Sequence, residues 1–423
     1  MIDKLKKALE ENRETYIKHL KELVSIDTHV LAQGLEGGLE KKGQEYIASL
    51  LRSMGADEVK EDPMEETLIE EAGEKYGEGN PGHNQTGRSN VYGTFRGKAG
   101  GKSLLFNGHV DVMPVDGDEG WKSDPFDPVI EDGKMFGRGT ADMKSGLMAS
   151  IMAVKLVQDA GLDLPGDVTI TSVCDEEGGG NGSIQAVMRG LKADGVVNCE
   201  PTNDEAIAAH MGWVFFKVEF EGKACHSGEK GKGVSAIAKA IKVIEALNER
   251  EHEWLLSYRH PLCPPPNLNI GVIEGGTAGS TVPGYCSFST CVHFVPSLMT
   301  QEQIIEEFND VVKRTADADP WLCAHPPKVT IFQRGRSFEM ETDHPFVDAF
   351  REAYRLSTDK ELKIVGSPMG CDSRLWRNIA GCPTIQFGPG RPQECHSVNE
   401  WVEIESYLNA ILIYAELILQ MGK

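Results

Sequence analysis

The side chains able to do chemistry in this chain cluster at turns that follow apolar runs. His109 follows Leu104-Leu105-Phe106, in the phrase Gly108-His109-Val110-Asp111. Asp142 ends the glycine-rich turn Gly137-Arg138-Gly139-Thr140-Ala141-Asp142, just before an apolar-periodic stretch from Lys144 to Asp159. Glu176 and Glu177 follow the run Asp167 to Cys174, and Glu200 follows Gly195 to Cys199. His396 stands in Glu394-Cys395-His396-Ser397. Imidazoles and carboxylates together form a mixed nitrogen and oxygen donor set, which suits zinc and also cobalt or manganese. His109, Asp142, Glu177, Glu200 and His396 are too many donors for one open catalytic ion. They fit two ions about 3.5–4 Å apart that share a carboxylate. Asp142, alone in its turn, is expected to be the shared group, with one histidine and one further glutamate on each ion.

The neighbours of these residues have expected roles too. Glu176 and Glu177 are adjacent and diverge in direction, so one can hold metal while the other faces the open site. Glu176 is expected to be the general base and Glu177 the ligand, although the residues alone allow the reverse order. Asp111 lies two places after His109 and would share its face of a strand, so its carboxylate is expected to accept from the free imidazole N–H. Each residue alone has a plainer reading. A single histidine is more often just hydrogen-bonded, a Glu-Glu pair is usually solvated, and Asp111 could be an ordinary turn residue. Their shared placement after apolar strands is what separates them from those readings.

The elements that carry them alternate. Helices are expected over residues 2–24 and 40–54, with strands over 90–96 and 103–106. Residues 61–88 are polar and bear Gly and Pro, and read as a surface excursion. A helix from Lys144, a strand over 167–174, a helix over 183–191 and a strand over 195–199 follow. Such alternation implies an α/β domain with its ligand site beyond the C-terminal strand ends. Near residue 211 the pattern becomes strand, helix, strand, strand, helix, strand, which is a compact α+β unit. Helix and strand then resume to a last helix from Ile404 to Leu419. The expected organisation is therefore a catalytic domain over 1–210 and 334–423, with an inserted domain over 211–333. No internal repeat or low-complexity segment is found.

At 423 residues the chain is long enough for two domains with ample core, and its 26% charged and 40% hydrophobic residues are ordinary for a soluble protein. No apolar run approaches the ~18 residues that span a bilayer. The N-terminus is amphipathic and rich in Glu, unlike a signal peptide. The net charge of -22, without a Lys/Arg cluster, argues against nucleic-acid binding. Ten cysteines without a C-x-x-C spacing fit reduced thiols in the cytoplasm. Cys174 and Cys395 lie beside site residues and read as small buried hydrophobes rather than nucleophiles.

The phrases GHVDV, GRGTADMKSG, DEEGGGNGS, CEPTN, GKACHSG, IEGGTAGSTVP, GCDSR and CHSVNEWVEIE are spread from Gly108 to Glu405, and the resemblance they carry covers almost the whole chain. Together they resemble the di-zinc deacylase and carboxypeptidase family, in particular its acetylornithine deacetylase and succinyl-diaminopimelate desuccinylase branch. That resemblance implies a zinc-exopeptidase-like catalytic domain, a mixed sheet flanked by helices, with a ferredoxin-like insert that acts as lid and dimerisation domain. It implies two Zn2+ (or Co2+ or Mn2+) per subunit, with His109 and Glu200 on one, Glu177 and His396 on the other, Asp142 between them and Glu176 as base. It also assigns His226, in the lid, to the partner subunit's oxyanion. Many members carry Asp-x-Arg in a lid strand, where the arginine reads a substrate carboxylate. Here Cys291-Val292-His293 stands in that place, and Ser280 stands where an asparagine is frequent. A histidine is no bidentate fork. Ser280, His293 and Arg374 are the candidate substrate contacts.

The resulting expectation is a metal-dependent amidohydrolase removing an acetyl, succinyl or formyl group from a small N-acylated amine or amino acid. It would be a homodimer without nucleic-acid or membrane partners. The alternative is a dipeptidase or carboxypeptidase using the same metals. A non-catalytic protein of the same fold would lack the base or a ligand, and none is missing. Cysteine-nucleophile hydrolysis through Cys174 or Cys395 is the remaining chemistry.

Overall fold

Residues 1–98, 100–115 and 120–422 are described by a computed structural model. Contacts divide the chain into two compact units. One comprises Met1–Ala208, Met340–Val365 and Cys371–Lys423, and the other comprises Ala209–Glu339 with Gly366–Gly370. The sequence pattern places the insert at 211–333. The observed second unit is wider at both ends and takes in a short return segment that carries no sequence signal of its own.

The first unit is built on a mixed sheet. Strand Leu104–His109 lies at its centre, parallel to Gly195–Asn198 on one side and to Val168–Val173 on the other. Thr384–Gln386 continues the parallel set beyond Gly195–Asn198. Ser89–Phe95 pairs antiparallel with Val168–Val173, and Glu58–Pro63 pairs antiparallel with Ser89–Phe95. Every residue of Leu104–His109 is buried, as expected of a parallel strand covered on both faces. Side chains alternate across it. Leu105 joins a cluster with Ile69, Ile184, Val196 and Trp376, while Phe106 meets Tyr414 on the opposite face at 4.9 Å between ring centroids. Tyr414 belongs to the helix Ile404–Gln420, which packs against Lys144–Asp159 and Pro345–Thr358. Ile2–Val24 packs against the first two of these.

Because the central strands are parallel, their C-terminal ends share one edge of the sheet. That edge delivers His109, then Glu176 and Glu177 after Val168–Val173, then Glu200 after Gly195–Asn198. The helix Lys144–Asp159 is drawn close to the same edge by two glycines. A Cβ on Gly146 would stand 1.8 Å from the carbonyl oxygen of Cys199, and one on Gly108 would stand 3.0 Å from Leu147 Cβ. This approach sets the helix start, and so Asp142, beside Glu200.

Residues 61–88 correct the sequence reading. They are no simple surface excursion. They include the end of an edge strand and the helix Glu66–Tyr76, whose Ile69 and Ala72 are buried. The segment also buries Asp62, Glu78 and Arg88. Polar composition hid this, because these charges face inward against partners distant in sequence.

The second unit is a four-stranded antiparallel sheet. Its strands run Asn267–Gly275, Tyr285–Phe294, Gly212–Glu221 and Lys328–Gly335 in spatial order. The helices Ala236–Ser257 and Gln301–Asp317 complete the chain order strand, helix, strand, strand, helix, strand of a ferredoxin-like unit. Phe216 on the first strand stacks on Phe308 of the second helix, with centroids 3.8 Å apart. Among the described residues, no helix is long and apolar enough to cross a membrane.

The close helix approach is testable. Gly146→Ala places a methyl group against main chain and is expected to destabilise the protein by about 1–3 kcal/mol. The readout is a lowered urea midpoint at unchanged m. A variant as stable as the parent would show that helix and strand can separate freely.

Candidate active site

Asp142 is the link between the two histidines. Its Oδ1 lies 3.1 Å from His109 Nε2 and its Oδ2 lies 3.3 Å from His396 Nε2. Glu177 Oε2 is 3.0 Å from His396 Nε2, and Glu200 Oε1 is 3.8 Å from His109 Nε2. Glu176 Oε2 stands 4.0 Å from His109 Nε2. Donor atoms of His109, Glu176 and Glu200 all lie within 4.8 Å of one another, as do those of His109, Asp142 and Glu177. All six sequence candidates for ligand or base therefore meet at one place.

The backbone holds these groups by specific means. Glu400, fully buried, accepts from the Ala141 and Asp142 N–H groups through Oε1 at 2.8 and 3.0 Å. Its Oε2 accepts from Arg138 Nη1 at 2.9 Å. Glu400 was not singled out from the sequence. It lies four residues after His396, and only the fold shows that it seats Asp142. His396 itself adopts φ 60°, a left-handed conformation uncommon outside glycine.

Asp111 corrects the sequence expectation. The His109 Nδ1–H donates to the main-chain carbonyl of Asp111 at 2.8 Å, while the nearer carboxylate oxygen is 3.7 Å away. The strand ends at His109, so the alternation that would aim the Asp111 side chain at the ring does not extend to it. The carbonyl holds a proton on Nδ1 and so leaves Nε2 as the ring atom that faces Asp142 and would ligate a metal. The Asp111 carboxylate instead accepts from the Glu177 N–H at 3.0 Å and so helps seat that residue. Burial pushes the Asp111 carboxyl up to about 7, with the His109 charge opposing.

The electrostatics call for a cation. Burial opposes a charge on His109, yet Asp142, Glu200 and Asp111 raise its imidazole well above the ordinary value. Hydrogen bonds to Asp142 and Glu177 push His396 up to about 11. Burial, with the charge of Asp372 added, raises the Glu176 carboxyl well above the usual carboxylate range. Burial likewise raises Glu200. Glu177 Oε1 is buried without a hydrogen-bond partner. Crowded carboxylates, raised imidazoles and an orphaned oxygen fit a divalent cation, which would relieve the repulsion and complete the coordination.

Of the remaining candidates, one belongs to the first unit and three to the second. Arg374 is buried inside the first unit. Its Nε donates to Glu78 at 3.0 Å, Nη1 to the Cys371 carbonyl at 2.8 Å and Nη2 to the Gly179 carbonyl at 3.1 Å. Each of its nitrogens is engaged internally, so this candidate substrate contact is instead an internal clamp. His226, Ser280 and His293 belong to the second unit. His226 is exposed and pairs in register with Thr281, beside Ser280, whose carbonyl accepts from the Ser227 N–H at 2.8 Å. Burial lowers the His293 imidazole, and its Nε2 lies 3.4 Å from Cys291 Sγ. Burial also raises the thiols of Cys174 and Cys395, which argues against either as a nucleophile.

Residues 105–420 match the family described as Peptidase family M20/M25/M40. The chain belongs to that family. Among its relatives, it is 32% identical over 438 residues to the N-formyl-4-amino-5-aminomethyl-2-methylpyrimidine deformylase of Bacillus subtilis strain 168, covering 98% of this chain and 96% of that one. It is 27% identical to the acetylornithine deacetylase of Proteus mirabilis strain HI4320, over 75% of this chain and 79% of that one. Solved structures share the fold. A di-peptidase from Saccharomyces cerevisiae has a TM-score of 0.75 at 16% identity, covering 100% of this chain and 98% of that one. The M20 family metallo-carboxypeptidase from Sulfolobus solfataricus has a TM-score of 0.75 at 17% identity, covering 96% of this chain and 99% of that one. This M20 chain is a metal-dependent hydrolase of linear amide bonds in the deacylase branch of the family.

Raised imidazoles make metal uptake a competition with protons. In the metal-free protein His396 is held protonated near neutrality, and a ligand must be unprotonated to bind. Affinity for Zn2+ is therefore expected to rise with pH between pH 6 and 8, by about tenfold per unit for each proton displaced. Calorimetry in buffers of different ionisation enthalpy would read the released protons. A Zn2+ affinity flat across that range would contradict the assignment.

Proposed function

We propose that this chain removes a formyl or other small acyl group from an N-acylated amine that carries no α-carboxylate. The observation that supports this choice is the internal engagement of Arg374, together with a neutral His293 where relatives with a carboxylate reader would need a cation. An amino-acid or dipeptide substrate needs such a partner for its carboxylate. The end-to-end likeness to a formylaminopyrimidine deformylase points the same way, toward a substrate whose amine is carried by a neutral or cationic heteroaromatic group. The net charge of -22 suits such an amine better than an acidic one.

In this reading His109 with Glu200, and His396 with Glu177, would hold zinc, cobalt or manganese, with Asp142 facing both histidines. When bound, such ions would supply a water of lowered pKa and positive charge for the acyl oxygen. Glu176, 4.0 Å from His109 Nε2, would as a carboxylate take a proton from the attacking water as its oxygen adds to the acyl carbon. The same carboxyl then protonates the leaving nitrogen as the C–N bond breaks, releasing formate or another carboxylate and the free amine. Asp111 keeps His109 in its tautomer and Glu177 in place. The second unit serves as lid and dimer contact, and its His226 donates to the developing oxyanion in a partner copy. Ser280 and His293 are the second unit's candidate contacts for the amine. The protein works in the cytoplasm, where its ten cysteines stay reduced.

Replacing the base separates chemistry from binding. Glu176→Gln is expected to lower kcat by at least ~10²–10⁴-fold with bound metal unchanged by elemental analysis. A variant with near-parental kcat would remove Glu176 from the mechanism. A panel of N-formyl, N-acetyl and N-succinyl amines against dipeptides tests the substrate class. The expected order of kcat/KM places N-formyl heteroarylmethylamines first and dipeptides last. Dipeptides in first place would make the chain an exopeptidase.

A further inference from the structure

Glu176 and Glu177 sit on the turn Asp175 to Gly180, and residues 77–88 grip that turn at several points. His83 Nδ1 lies 2.8 Å from Asp175 Oδ2, and Arg88 Nη1 lies 3.1 Å from Asp175 Oδ1. Arg88 is itself anchored by Nε to Glu40 at 3.1 Å. Asn80 Nδ2 donates to the Gly179 carbonyl at 3.1 Å. The Asn80 N–H donates to Asn181 Oδ1 at 3.0 Å, and Asn181 Nδ2 donates back to the Asn80 carbonyl at 3.0 Å. Glu78 holds Arg374, which reaches the same Gly179 carbonyl.

The turn needs holding. Asp175 has φ 61°, a conformation that costs a non-glycine residue about 1–3 kcal/mol and persists only when its surroundings enforce it. The glycines after Glu177 record how tightly the grip closes. A Cβ on Gly178 would stand 2.4 Å from Asp175 Oδ1 and 2.9 Å from His83 Cε1. One on Gly179 would stand 2.1 Å from Asn80 Nδ2. None of residues 78, 80, 83 and 88 is among the ligand or base candidates, yet Asn80, His83 and Arg88 contact the turn that aims two of them, and Glu78 reaches it through Arg374.

We propose that residues 77–88 are a positioning element for the metal site, with His83 and Asn80 as its working contacts, orienting Glu177 toward metal and Glu176 toward the attacking water. This rests on the assignment of those two glutamates as ligand and base. Carboxylates positioned through partners behind them lose affinity when the partner is removed, by about 10–100-fold. A segment that served only stability would lower melting temperature and leave metal affinity alone.

The test uses full-length protein stripped of metal and titrated with Zn2+ against a chromophoric chelator. His83→Leu removes the Asp175 contact, and His83→Asn retains a donor near the Nδ1 position. The expected result is a Zn2+ Kd raised by about tenfold or more in His83→Leu, with kcat lowered, KM little changed and the metal-free melting temperature close to parental. His83→Asn is expected to recover most of the affinity. If His83→Leu fails to fold, Asn80→Ala carries the same expectation, since Asn80 is only partly buried. Parental Kd and kcat in the folded variant overturn the positioning role while leaving the metal-site reading intact. A parental protein that binds no Zn2+ overturns both. Loss of melting temperature with unchanged Kd also overturns it, by showing a structural role alone.

Discussion

Asp142 can touch two histidines nearly three hundred residues apart because each of its oxygens faces a different ring. Everything else in the first unit serves that span. Glu400 seats the main chain of Asp142, Arg138 neutralises Glu400, and the carbonyl of Asp111 turns His109. The arrangement gathers negative charge among largely buried side chains. It is tolerable because the protein supplies imidazoles on both sides and room for cations, so that binding and charge balance become the same event.

Rigid supports surround the charged centre. The parallel strands bring the reactive ends to one edge of the sheet, and glycines at 108 and 146 let a helix approach main chain closely enough to set the turn before it. On the other side the 77–88 segment closes on the Asp175–Gly180 turn. Side chains held in this way have little freedom to rearrange, which is what a site needs if its geometry is to favour the reacting state rather than adapt to the resting one. The buried polar groups behind the site are paired with each other more than with solvent, and such networks hold firmly only when complete.

The second unit has a different character. Its ferredoxin-like order, with Phe216 stacked on Phe308, makes it a self-sufficient packing unit. Within it His226 and Ser280 lie on or beside neighbouring short strands, while His293 sits in a longer strand and is kept neutral by burial. The absence of an arginine at the His293 strand and the inward engagement of Arg374 act together. They leave the chain's candidate contacts without a free guanidinium.

Residue types and their spacing were enough to single out His109, Asp142, Glu176, Glu177, Glu200 and His396, which the fold brings together, and to anticipate an inserted α+β unit. Those features are local: an apolar run ending in a donor, or a period of two or 3.6, can be seen without knowing what lies across the sheet. The supports could not be found that way. Glu400, Glu78, His83 and Arg88 look like ordinary polar residues in a charged chain, and the 61–88 segment looked like solvent-facing surface. Their meaning depends on which main-chain atoms the fold brings opposite them. The same holds for Asp111, whose carbonyl rather than carboxylate meets the imidazole because the strand ends one turn of the pleat too early, and for Arg374, which the closure of the chain places among internal acceptors. Pairing between distant segments is a property of the closed chain, and only closure decides which polar atom finds a partner and which is left waiting for a metal.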